Sequence, residues 1–204
     1  YPKSCNRWGE MHVENDSHAT VDQKEVIQFW FEETDSKLRF AKNMDFDAEI
    51  RRRFLAIHQQ ASSCELWRWR SSAEGCLAEI IVLDQFSRNL CRDMPESFAF
   101  DALALALAQS AVAAGVDRQM PPEQRAFFYM PYMHSESAAV HDEALRLFSD
   151  LGIESQLGFE LRHKAIIDQF GLYPHRNAIL RRPSTAAELA FCSSRDHVFN
   201  DAEE

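Results

Sequence analysis

Apolar positions along this chain recur at intervals of three and four. Ile50, Phe54, Ile57 and Ala61 fall at +4, +3 and +4, a stripe with the period of an α-helix. A helix carrying Val26, Ile27, Phe29, Trp30 and Phe31 is expected before it. One with Leu77, Ile80, Ile81 and Asp84 on a single face is expected after it. Start signals support these elements. Thr20 with Gln23, Ser71 with Glu74, Asp93 with Glu96 and Thr185 with Glu188 have the spacing of a capping box. Asp45 or Asp47 is placed to cap the 50–61 stripe. Pro121-Pro122-Glu123 opens a further helix, Ser137 to Leu151 forms another, and a third ends at Phe170 before Gly171.

Two segments are less regular. The Ala-Leu run over 102–108 alternates like a strand. Neither alternate position is polar and both residue types favour helix, so it is read as a helix from Asp93 to Gly115, buried nearly all round. Pro131 is expected to kink or end its helix near Met130. Arg51, Arg52 and Arg53 lie mostly off the 50–61 stripe and read as a solvated face. The sum is an all-α chain of about eight helices, with no convincing strand. Short connections favour antiparallel pairs, arranged as an α-solenoid or a compact orthogonal bundle. Residues 20–192 form one domain. Residues 1–19 read as a polar extension in which Met11 could be the true start, and residues 193–204 as a frayed acidic tail.

Composition narrows the class. Six Gly and seven Pro in 204 residues are too few for a turn-rich sheet fold. A net charge of −10 argues against nucleic-acid partners and anionic membranes. Phe98 to Gly115 is short and interrupted by Asp101, Gln109 and Ser110, which argues against a membrane span. Five scattered cysteines without a Cys-x-x-Cys point to reduced thiols in the cytoplasm and to no structural zinc. Glycine-rich phosphate loops, His-Glu-x-x-His, an EF-hand loop and Gly-x-Ser-x-Gly are all missing, so no cofactor and no metal are expected.

Three polar boxes interrupt the apolar pattern. In Leu83 to Asn89, Asp84 continues an apolar stripe and needs a partner, which Arg88 one turn on can supply. In Phe127 to Glu136, His134 and Glu136 follow the proline. They diverge on a helix and cannot form a Ser-His-Glu triad with Ser135. In Gly171 to Asn177, Arg176 offers a planar fork for a carboxylate or phosphate. Each box also reads as plain scaffolding: an ion pair locking helix packing, a cap for the next helix, a tie to helix-end carbonyls. His163 reads first as a satisfied core histidine. Asp168-Gln169-Phe170 echoes Asp84-Gln85-Phe86, without amounting to a demonstrated repeat.

Together LDQFSRN, YMPYMHSE and YPHRNAIL, with QFWF at 28–31 and the FAFDALALALA run, resemble the bacterial domain-of-unknown-function 924 family over about residues 24–192. The resemblance implies an all-helical, TPR-like architecture and brings no activity with it. It marks Asp84, Gln85, Arg88, Asn89, His134, Ser135, Glu136, His163, His175, Arg176 and Asn177 as its recurrent polar positions. Ser87 stands where the family boxes usually read proline. His141 belongs to no box and is left out of the site.

The leading expectation is a pocket for a small anionic ligand. Arg88 and Arg176 would hold the anion, Asp84 would orient Arg88, and Asn89, His163 and Asn177 would complete the polar lining. His134, Glu136 and His175 are the candidate proton-transfer groups. Two alternatives stay open: a peptide-binding scaffold using the same Arg and Asn residues, and a hydrolase or lyase with a His/Glu acid–base pair. Oligomeric state is not encoded legibly.

Overall fold

The computed structural model describes residues 21–194. It is all-α, with no strand among the described residues. The elements are α1 (Gln23–Gln28), α2 (Met44–Ser62), α3 (Ala73–Ile81), α4 (Ser87–Leu90), α5 (Asp101–Ala113), α6 (Pro122–Met133), α7 (Ala138–Leu151), α8 (Glu154–Phe170), α9 (Asn177–Leu180) and α10 (Ala186–Ser193). The count exceeds the expected eight partly because some rods change pitch. A π-helical turn, Val82–Phe86, joins α3 to α4 without a break, and another, Phe29–Glu33, extends α1.

Successive helices α5, α6, α7 and α8 pack on one another, and α3 lies against α1, α5 and α6. The main core runs through all of these. It is strongly aromatic, with Phe29, Trp30, Phe54 and Phe86 in mutual ring contact. Ile50, Phe54, Ile57 and Ala61 are buried, as their stripe requires. A second, small apolar cluster stands apart from it. Ile166, Ile167 and Tyr173 form its centre, with Phe170 and Phe191 against them.

Several local expectations are corrected. Thr20 lies outside the described residues, and Asp22 caps α1 by accepting from the Glu25 N–H. Asn43, not Asp45 or Asp47, caps α2. Asp47 turns instead to Arg92 and Asn89. Ser72 rather than Ser71 caps α3. Its first turn lies so close to the preceding backbone that a Cβ on Gly75 would stand 2.0 Å from the Trp69 carbonyl oxygen. Asp93 adopts a positive φ and pairs with Lys42, and α5 starts only at Asp101. The Thr185–Glu188 capping box is present as expected. Gly152 and Gly171 end α7 and α8 in the left-handed region.

Helix α5 is not buried all round. Only Ala104, Ala108 and Ala111 are buried, because small side chains on one face suffice for close approach to α3 and α6. Pro95–Ala113 is long and apolar enough to cross a membrane by length and composition alone. Pro131 does not end α6, which runs on to Met133. The missing N–H falls in the last turn, where one backbone bond is forfeited and packing of the buried proline offsets it. The arginine triplet is not one solvated face. Arg52 is exposed. Arg53 lies on the Phe29 ring and pairs with Glu25 and Glu33, and Arg51 donates to the Leu90 carbonyl. Residues 1–19 and the end of the acidic tail lie outside the described residues, as does Cys5. The remaining four cysteines are free thiols.

Candidate functional site

Asp84 sits in the π-turn after α3, with its carboxylate against His134 at the end of α6. It is 1% exposed. Its Oδ1 accepts from His134 Nδ1 at 2.8 Å and lies 3.2 Å from an Arg88 nitrogen. Its Oδ2 accepts from Gln85 Nε2 at 2.6 Å. Burial alone would raise its pKa. The Arg88 charge and the His134 hydrogen bond outweigh that and hold the carboxyl well below the usual carboxylate range.

That carboxylate fixes the histidine tautomer. An ionised carboxylate only accepts, so Nδ1 of His134 carries the proton and Nε2 presents a lone pair. Burial and the Arg88 charge push the His134 pKa down, against the pull of Asp84, so the ring is neutral at pH 7. Among the described residues no group takes Nε2, and the side chain keeps 18% exposure.

Arg88 also forks onto Asp101 at the start of α5, at 3.0 and 3.2 Å. Arg176 shares that carboxylate at 3.3 Å and donates to the His134 carbonyl at 3.1 Å. Its guanidinium carbon lies 4.5 Å from the Phe98 ring centre and 4.6 Å from that of Tyr173, a cation held between two aromatic faces. Burial lowers its pKa, chiefly by desolvation. Its Nε is buried without a partner.

Tyr173 ties this cluster to a second layer. Its hydroxyl donates to the Met133 carbonyl at 2.5 Å and lies 3.2 Å from His141 Nε2. His141 is fully buried, 2.7 Å from Glu160 Oε1 and 2.9 Å from the Ser135 carbonyl. The Tyr173 N–H donates to Glu136, whose carboxylate receives a bidentate Arg182 at 2.6 and 2.9 Å. Burial alone would raise the Glu136 pKa; Arg182 and the Tyr173 N–H leave it lowered. His163 Nδ1 donates to the Phe159 carbonyl at 2.8 Å, and its ring meets Tyr173 edge-on. Burial pushes its pKa down to about 3. His175 stands tilted against the other side of the Tyr173 neighbourhood, 5.5 Å between ring centres.

Asp84, Arg88, His134 and Arg176 therefore converge, with His163 and His175 beside them around Tyr173. Three candidates do not join that cluster. Asn89 ties α4 to Asp47. Asn177 binds Ser184, Glu188 and Arg182 and so anchors α10. Glu136 pairs with Arg182 rather than with His134, because the two side chains leave the end of α6 in different directions. Sequence reasoning missed Asp101, which bridges both arginines, and the stacking residues Phe98 and Tyr173. An isolated acid inside an Ala-Leu helix was the available signal for Asp101.

A family model described as "Bacterial protein of unknown function (DUF924)" matches residues 26–196. This chain belongs to the DUF924 family. The chain is similar to a solved structure, that of the protein of unknown function ATU0120 from Agrobacterium tumefaciens, with 34% identity and a TM-score of 0.80. That likeness covers 83% of this chain and 96% of the other. No curated protein matches the chain.

Proposed function

We propose that this DUF924 domain binds a small anion, a carboxylate or phosphate, on the Arg88–His134–Arg176 face. Arg176 carries the reading. It is 7% exposed, makes two long contacts of 3.1 and 3.3 Å, and leaves a buried Nε unpartnered. Buried polar groups normally find a partner, and a guanidinium left short gains most from an added acceptor. Asp101 is shared by two arginines, so the pair keeps donor capacity for a second anion. The Phe98–Tyr173 sandwich fixes the plane in which a bidentate acceptor would lie.

The Asp84–His134 pair favours a second reading of the same site, acid–base chemistry on the bound anion. A neutral imidazole oriented by a buried carboxylate leaves a lone pair that can take a proton. Glu136 is excluded from that role by its own pairing with Arg182.

The test is calorimetric titration with inorganic phosphate, succinate and citrate, on the wild type and on Arg176→Lys and His134→Ala. The lysine keeps the charge and loses the fork. Binding weakened at least tenfold by Arg176→Lys, at unchanged melting temperature, is the expected result. A ligand bound equally well by both variants would sink this site.

A further inference from the structure

A cavity of about 480 Å³ opens between the end of α5, the turn Asp117–Gln119, α6 and α7. Its walls carry charge of both signs, and the charges are unequally matched. Arg146 is satisfied: it forks onto Glu143 at 2.6 and 3.0 Å and reaches Asp150 at 2.8 Å. Arg125, Arg118 and Asp117 are not. Arg125 donates only to backbone carbonyls, of Met120 at 3.2 Å and Arg118 at 3.5 Å, and its Nε is buried without a partner. Arg118 is exposed at the cavity wall and meets no acceptor among the described residues. Asp117 is 2% exposed. Its Oδ2 accepts from the Tyr129 hydroxyl at 2.6 Å, while its Oδ1 is buried with nothing to accept.

A buried carboxylate oxygen without a donor and a buried guanidinium N–H without an acceptor are both costly, and they lie on residues lining one cavity. The two deficits are of opposite sign. An anion alone answers Arg118 and Arg125 and leaves Asp117 worse off. A cation alone does the reverse. A molecule carrying both groups a few bonds apart answers both. The broad terminal torsion of an aspartate lets Oδ1 swing toward the cavity while Oδ2 keeps the tyrosine hydroxyl.

We propose that this cavity binds a small amino-carboxylate zwitterion of free amino acid size, its carboxylate on Arg118 and Arg125 and its ammonium on Asp117. The volume admits such a molecule with room for a side chain along Val112 and Leu147. The site shares no residue with the Arg88–Arg176 face and stands or falls separately from it.

The experiment is isothermal titration of the full chain with each of the common L-amino acids, then with the N-acetyl and C-amide derivatives of whichever binds. Inorganic phosphate and methylamine serve as single-charge probes. At least one amino acid is expected to bind, and each blocked derivative to lose tenfold or more. Arg118→Ala, a surface change that leaves the fold intact, is expected to lose tenfold or more, and Asp117→Asn likewise. Arg176→Lys is expected to leave this binding unchanged. If no amino acid binds, if blocked derivatives bind as well, or if phosphate binds as tightly as the zwitterion, the proposal is overturned. Should Asp117→Asn unfold, the Arg118→Ala and derivative results still decide the matter.

Discussion

The chain contains the triplet Asp-Gln-Phe twice, and the two copies have opposite lives. In the first, Asp84, Gln85 and Phe86 are all buried. Asp84 binds His134, Arg88 and Gln85, and Phe86 lies among Phe29, Trp30 and Phe54. In the second, Asp168 is half-exposed and pairs one turn back with Lys164. Phe170 touches only the small outer cluster, through Phe191 at 5.1 Å. The letters are the same and the setting differs: the first copy lies in a π-helical turn faced by α6, the second at the outer end of α8. A carboxylate facing α6 becomes the anchor of a polar network, and one facing water becomes a surface ion pair.

The comparison can be broken most directly at the first copy. Asp84→Ala removes a buried carboxylate from Arg88, His134 and Gln85 at once, leaving Arg88 with the Asp101 carboxylate alone, and is expected to cost about 3–5 kcal/mol in chemical denaturation. Phe86→Ala, a cavity in the aromatic core, belongs in the same range. Wild-type-like stability in either variant would mean that the first copy is as dispensable as the second. Phe170→Ala should cost only about 1–2 kcal/mol, since its ring keeps partial exposure and a few neighbours.

A pH titration sharpens the contrast. His58, next to the first copy through a 2.8 Å bond to Ser87 Oγ, is buried, and desolvation lowers its pKa to about 4. The unfolded chain takes that proton near pH 6.5, while the folded chain refuses it until about 4. The stabilisation is therefore full above pH 6.5 and is lost as pH falls toward 4, about 2 kcal/mol between pH 7 and 5. His163 acts in the same direction, and Glu160, raised by burial, acts in the opposite one. Urea denaturation at pH 7 and pH 5 on wild type and His58→Gln isolates the term. An equally steep loss in the variant would assign it elsewhere. The smallest effect belongs to the second copy: Asp168→Ala is expected to change stability by less than about 0.5 kcal/mol, with the residual difference vanishing in high salt.

How much of this was readable beforehand follows from the range of each interaction. Helices and their apolar faces are local, so the Ile50–Ala61 stripe, the Thr185–Glu188 cap and the glycine stops at 152 and 171 were visible. Caps one residue off, such as Ser72 for Ser71, reflect a choice made by the packing of Gly75 on Trp69. Asp84 with Arg88 was legible because both lie on one helix. Asp101 was not, because its two arginines lie 13 residues before it and 75 after. The pairing of Glu136 with Arg182 was hidden for the same reason. The second cavity was beyond reach of any motif: its charged lining is drawn from the ends of three separate elements.

The small outer cluster has a consequence in time rather than in energy. Ile166, Ile167 and Tyr173 form a cluster separate from the main core; Phe191 of α10 packs against it, and Asn177 holds Glu188 of the same helix. Glu188 is the one buried residue of α10, so this helix has little packing to hold it closed. Amide exchange in α10 is expected to run well ahead of that in α3, where Leu77 to Ile81 are all buried.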